Sequence, residues 1–174
     1  GRHPSNPAKL QQAIKLLHSF IKSAAAPYYH ASALVFLGWA YTDLGNYEQA
    51  LNTLAQAKEL NKQLSMDTSF GYSSYSMMRI HLEQKDYKAV IAMADDKITT
   101  RLQASFLARA YYENKQVDKA ISTLSDFKQQ QPALWKNADD KRLLDYQMSL
   151  SGERLQLDAE PKAHLVYCES DWIN

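Results

Sequence analysis

Apolar residues recur along this chain at steps of three and four, the spacing of one face of an α-helix. Leu10, Ala13, Ile14, Leu17, Phe20 and Ile21 form the first such run. Asn6-Pro7 opens it, because an asparagine side chain can accept from a free amide and the fixed φ of proline suits a first turn. Ala33, Leu34, Leu37, Ala40, Tyr41 and Leu44 form a second run, preceded by Pro27 and ended by Leu44-Gly45-Asn46. Asn46 is placed to cap a third helix carrying Tyr47, Ala50, Leu51, Leu54, Ala57 and Leu60. Further on, the pattern predicts helices near Phe70–Gln84, Tyr87–Asp95 (capped by Asp86), Arg101–Asn114 and Val117–Gln130, then a long segment, Ala133–Leu150, opened by Pro132. No alternating run with turn residues interrupts the series, so the fold class is all-α.

Laid over one another, these helices fall into pairs. Leu34-x-x-Leu37-Gly38-x-x-Tyr41, followed by Ala50-x-x-x-Leu54 and Ala57, returns as Ala104-x-x-Leu107-Ala108-x-x-Tyr111, Ala120-x-x-x-Leu124 and Pro132. A weaker copy lies between them: Ser74-x-x-Met77-Met78-x-x-His81, then Tyr87, Val90 and Ala94. Upstream, Ala13-x-x-x-Leu17 with Phe20 matches the second helix of a pair. These units resemble tetratricopeptide repeats, whose pattern is W-x2-L-G-x2-Y, then A-x3-F, then P, over about 34 residues.

The resemblance covers about residues 7–132. It implies a right-handed superhelical array of antiparallel helix pairs, an α-solenoid of about three repeats plus capping helices. The units would be a half repeat at 7–25, repeats at 31–64, 71–97 and 101–132, and a capping helix at 133–151. Together they make a repeat domain over 1–152, followed by a tail over 153–174. Gly38, Ala50, Ala108 and Ala120 stand where bulk would separate the pairs, with Leu37, Tyr41, Leu54, Leu107, Tyr111 and Leu124 filling the space around them.

The array departs from regularity. Ala50 and Val90 are 40 residues apart, Val90 and Ala120 only 30. Leu34, Ser74 and Ala104 replace the signature tryptophan, and Ser74 points to a loosely packed middle unit. Such irregularity is similar to the regulatory repeat domains of bacterial signalling proteins. The opening on a lone second helix is expected of a segment from a longer protein, or of a capping helix. Lys136, Asp139, Asp140, Lys141 and Arg142 would give the last helix the polar outer face that a terminal unit needs. The tail carries Leu165, Val166, Tyr167, Trp172 and Ile173, apolar enough to dock.

Composition narrows the function. Lys+Arg 20 against Asp+Glu 19 leaves a net charge of +1, which counts against a nucleic-acid binder. No apolar run reaches the roughly 18 residues of a membrane span. The opening GRHPSNPAKL lacks the basic-then-apolar form of a signal peptide, so a cytoplasmic location is expected, or a periplasmic one if a leader was removed. Cys168, the single cysteine, has no internal partner for a disulfide.

No histidines stand at i, i+4, and neither a phosphate-cradling glycine loop nor a Gly-x-Ser-x-Gly elbow occurs. Asp95-Asp96 and Asp139-Asp140 read as solvated turns rather than cation sites. Cys168 lies beside Glu169 and Asp171, with no basic neighbour to activate it. The expectation is a non-enzyme with no catalytic residue, metal site or cofactor.

The resemblance implies that the first helix of each pair lines a concave groove. Offset from the Leu-Gly position places Val35 and Trp39 there in the first unit, Tyr72, Tyr75 and Arg79 in the middle unit, and Arg109 and Tyr112 in the last. Trp, Tyr and Arg are enriched at binding hot spots, and arginine can grip a carboxylate through two hydrogen bonds. The implied ligand is a protein or peptide segment with apolar and acidic side chains. The competing reading is that these aromatics close the superhelix or contact the tail. A clamp for chaperone C-termini is disfavoured, because the matching positions hold Val35, Trp39, Ser76, Leu102 and Phe106 rather than a Lys, Asn and Arg set. The expected function is a protein-interaction module of a bacterial regulatory or signalling protein. A stand-alone secretion chaperone or assembly factor is the alternative, a nucleic-acid reader comes after it, and a homodimer is compatible with exposed aromatics.

Overall fold

The computed structural model describes residues 6–23, 26–95 and 98–150. Over these it forms α1 (Pro7–Ser23), α2 (Pro27–Asp43), α3 (Tyr47–Gln63), α4 (Asp67–Glu83), α5 (Tyr87–Ile91), α6 (Arg101–Glu113), α7 (Val117–Gln130), a 3-10 turn (Pro132–Leu134) and α8 (Asn137–Leu150). No strand occurs among the described residues. The expected docking of the tail falls on residues outside those described.

Local chemistry opens the helices. Asn6 Oδ1 accepts from the Ala8 amide at 3.0 Å, and Asp86 accepts from the Ala89 amide at 3.1 Å. Pro27 occupies the first turn of α2. Asn46 precedes α3 as expected, but its exposed side chain makes no capping bond. That helix is held by the burial of Ala50 and Leu54 instead. Two other expectations need correction. α5 ends at Ile91 rather than Asp95, because the Met93 and Ala94 amides bond three residues back, to the Val90 and Ile91 carbonyls, and tighten the chain out of the helix. The last segment begins with a 3-10 turn, and α8 starts only where Asp139 Oδ2 accepts from the Lys136 amide at 3.1 Å.

Four connections are one and the same turn. Gly45, Ser65, Lys85 and Lys115 take left-handed φ values of 77°, 56°, 58° and 62°. Each donates its amide three residues back, and the next amide reaches five back: Gly45 to Thr42 and Asn46 to Tyr41, through to Lys115 to Tyr112 and Gln116 to Tyr111. These two bonds satisfy carbonyls that a helix end otherwise leaves open.

Joined this way, α2 packs on α3, α4 on α5 and α6 on α7, while α3 leans on α4, α7 on α8, and α1 lies on α2. The close approaches fall on small residues. A Cβ added at Gly38 would sit 2.5 Å from Leu54 Cγ, and Ala50, Ala57, Ala108 and Ala120 are completely buried. The middle unit is not loose. Ser73, Ser74, Met78, Ile80 and Val90 are fully buried, because small side chains let the neighbouring helix approach where a tryptophan would hold it off. Asn61 Nδ2 donates to Ser73 Oγ at 3.3 Å within this contact.

The link that replaces the missing turns of α5 is itself tied down. Gln103 Oε1 accepts from the Thr99 amide at 2.9 Å and the Thr100 amide at 3.0 Å, closing a capping box at the head of α6. Thr99 Oγ1 donates to the Asp67 carbonyl at 3.2 Å, binding this link to the start of α4.

Candidate interaction surface

The first helices α2, α4 and α6 stand in a row, α4 touching both others. Along them runs a continuous line of rings. Phe36 meets Trp39 at 5.3 Å between centroids, Trp39 meets Tyr72 at 6.1 Å, Tyr72 meets Tyr75 at 5.9 Å and Tyr75 meets Phe106 at 6.4 Å. Edge-to-face or tilted geometry throughout suits the ring quadrupoles. Ser76 locks the crossing from α2 to α4: Trp39 Nε1 donates to Ser76 Oγ at 2.7 Å, and Ser76 Oγ donates to the Tyr72 carbonyl at 2.7 Å. Trp39, Tyr72 and Tyr75 are half-buried and Phe36 is 44% exposed, whereas Phe106 is buried and anchors the end of the row in the core.

Charge lies beside the rings. Arg79 and Arg109 occupy the same repeat position as Trp39, on α4 and α6. Arg79 Nε pairs with Glu83 Oε1 at 3.0 Å, and Tyr47 OH donates to Glu83 Oε2 at 2.9 Å. Arg109 is half-buried.

Two of the sequence-derived residues are placed otherwise. Val35 is 4% exposed and packs with Leu34 and Ala57 in a cluster to which α1, α3 and α4 all contribute, so it belongs to the core and not to the surface. Tyr112 is stacked on Tyr146 of α8, with centroids 4.5 Å apart and planes 17° from parallel. α8 therefore lies alongside the last first-helix. Arg101 Nη1 holds Asp139 Oδ1 at 3.0 Å, and Arg142 hydrogen-bonds Ser105 Oγ. This corrects the reading of Asp139 and Arg142 as outward polar cover. Asp139 is buried, paired with Arg101 at the head of α8, while Asp140 stays exposed and bonds Lys128 and Trp135. Those two bonds, the Lys128 one first, hold the Asp140 carboxyl below its ordinary range. Asp96 falls outside the described residues.

Phe36, Phe106 and Ser76 were the less visible members of the row. They share one repeat offset, two residues after Leu34, Ala104 and Ser74, and that shared offset is the signal that marks them.

Away from this face, a cleft of about 630 Å³ lies beside α3 and α4, lined by Ala55, Lys58, Glu59, Lys62, Phe70 and Met77 among others. Lys58 Nζ lies 5.6 Å from the Phe70 ring centre. Lys58 and Lys62 face Glu59, Asp67 and Asp95 there, so the lining has no single charge preference. Among the described residues no group of His, Cys, Asp or Glu could hold a metal ion, and no helix is long and apolar enough to cross a membrane.

Residues 31–64, which span α2 and α3, and residues 107–133, which span the end of α6 and all of α7, each match a family model of the tetratricopeptide repeat. Both stretches are tetratricopeptide repeats, and such repeats support a protein-interaction module in general terms. No curated protein and no solved structure matches it.

Proposed function

We propose that the face built from α2, α4 and α6 is a groove for an extended or helical peptide segment bearing aromatic or apolar side chains together with carboxylates. The observation that carries this reading is the unbroken row Phe36–Trp39–Tyr72–Tyr75–Phe106, flanked by Arg79 and Arg109. Aromatic rings offer large contact area with few rotatable bonds, and the arginines supply forked donors for carboxylates. Trp39 and Tyr72 pack against the Leu34–Val35–Ala57 cluster and Tyr75 against the cluster that holds Phe106, yet these three keep part of their surface open, and that open part is what a ligand would meet.

The test is a display library of extended peptides panned against the whole chain. Selected peptides should be rich in aromatic and acidic residues. Arg79→Ala with Arg109→Ala should weaken them by tenfold to a hundredfold, the loss of about 1.5–3 kcal/mol for hydrogen bonds to a charged group. The thermal unfolding curve serves as the control for folding. Selected peptides that bind the double variant as tightly as the parent chain would remove this assignment.

A further inference from the structure

We infer that Glu83 sets which ligands the groove accepts. Its carboxylate already occupies Arg79, so that arginine grips only a ligand whose own acid displaces Glu83. The inference rests on the groove reading above and adds a specificity-determining residue to it.

Glu83 is the last residue of α4, one turn past Arg79. Both of its oxygens are engaged. Arg79 Nε donates to Oε1 at 3.0 Å, and Tyr47 OH of α3 donates to Oε2 at 2.9 Å. An i, i+4 ion pair near the surface is a weak restraint on its own. Here a hydrogen bond from a second helix keeps the carboxylate in place. The Arg79 side chain is 13% exposed and that of Glu83 31%, so an incoming ligand meets the carboxylate before the guanidinium.

What Glu83 offers Arg79 is the same chemistry as the ligand proposed above, a carboxylate accepting from a guanidinium. An uncharged side chain brings no charge to replace the one it would remove, so the pair stays closed against it. An acidic side chain exchanges one carboxylate for another, and the displaced Glu83 still has Tyr47 OH to accept from. Discrimination between acids and their amides therefore falls on this exchange.

The last unit supplies the internal control. Glu113 stands four residues after Arg109, the spacing of Glu83 after Arg79. Among the described residues no hydrogen bond or ion pair joins Glu113 to Arg109. Glu113 thus places the same charge on α6 without the contact.

The experiment uses the full-length chain and a fluorescein-labelled acidic peptide from the library described above, chosen for its dependence on Arg79. A counterpart peptide carries Asn for every Asp and Gln for every Glu. By anisotropy titration, the Glu83→Gln and Glu83→Ala chains should each bind the acidic peptide about fivefold more tightly than wild type. The amide counterpart should gain nothing, and Glu113→Gln should leave the acidic peptide where it was. In a second arm, the arginine side-chain proton–nitrogen spectrum of the ligand-free chain follows the Arg79 Nε–H, assigned by its disappearance in Arg79→Lys. That proton should exchange slowly with water in wild type, and the slow signal should be lost in Glu83→Ala. Thermal unfolding curves check that each variant folds.

Unchanged or weaker binding of the acidic peptide to the Glu83 variants would overturn the proposal. So would an equal gain with the amide counterpart or in Glu113→Gln, and so would an Arg79 Nε–H that exchanges alike with and without Glu83. If acidic peptides bind through Arg79 and Arg109 while the Glu83 variants bind them no better, the role of Glu83 falls and the groove stands. If no selected peptide depends on the arginines, both fall.

Discussion

An extra methyl group on Gly38 would have to share space with Leu54, whose Cγ and Cδ2 would lie 2.5 and 2.6 Å from the new carbon. Leu54 is itself completely buried and has nowhere to go. Helix propensity favours alanine over glycine by about 1 kcal/mol, but overfilling a tight core contact costs about 1–3 kcal/mol. Gly38→Ala should therefore lower stability by up to about 2 kcal/mol in urea unfolding, against the sign that propensity alone gives. His81 sets a different residue-scale test. Burial holds its imidazole below the ordinary value of 6.5, with Asp86 pulling it back up. The unfolded chain thus takes up the proton first as pH falls through 6.5, so this contribution to stability is complete above that point and is lost on acidification. His81→Gln should flatten the slope of unfolding free energy against pH between about 6.5 and 5, read from denaturant titrations across a pH series.

At the scale of elements, the head of α6 depends on one buried side chain. Gln103→Leu would leave the Thr99 and Thr100 amides without their acceptor, at a cost of about 2 kcal/mol or more for two orphaned donors. Native-state hydrogen exchange should show those two amides opening well before the centre of α6. Helix starts were legible where a short polar side chain does the capping, as at Asn6 and Asp86. The stop of α5 was not, because Ala92, Met93 and Ala94 are good helix formers. What ends α5 is a change of backbone bonding, the Met93 and Ala94 amides turning to carbonyls three residues back, which no side chain there announces. The same division runs through the candidate surface. Repeat offsets alone located Trp39, Tyr72 and Tyr75, since their positions follow from the helix period. Whether a neighbour then covers a side chain is decided by packing. Val35 went to the core and Tyr112 to α8 for reasons that no spacing encodes.

At the scale of the whole molecule, the ring row exists only because the units stack. Each first helix supplies one or two rings, and the line becomes continuous when α4 is set between α2 and α6. Near-neutral overall charge is compatible with this, because two arginines can stand on one face without altering the total. Such a quasi-one-dimensional body gains stability unit by unit through its neighbours. The four identical turns at Gly45, Ser65, Lys85 and Lys115 carry that logic into the joints. One pair of hydrogen bonds closes the link within a repeat and also the link between repeats, at Ser65, so a helix cannot tell from its connection which kind of neighbour it has. Cut at these joints, the stretch from α2 to α5 is a set of cassettes joined alike. A helix pair could be duplicated or exchanged by splicing turn to turn, lengthening the ring row while every connection stays as it is.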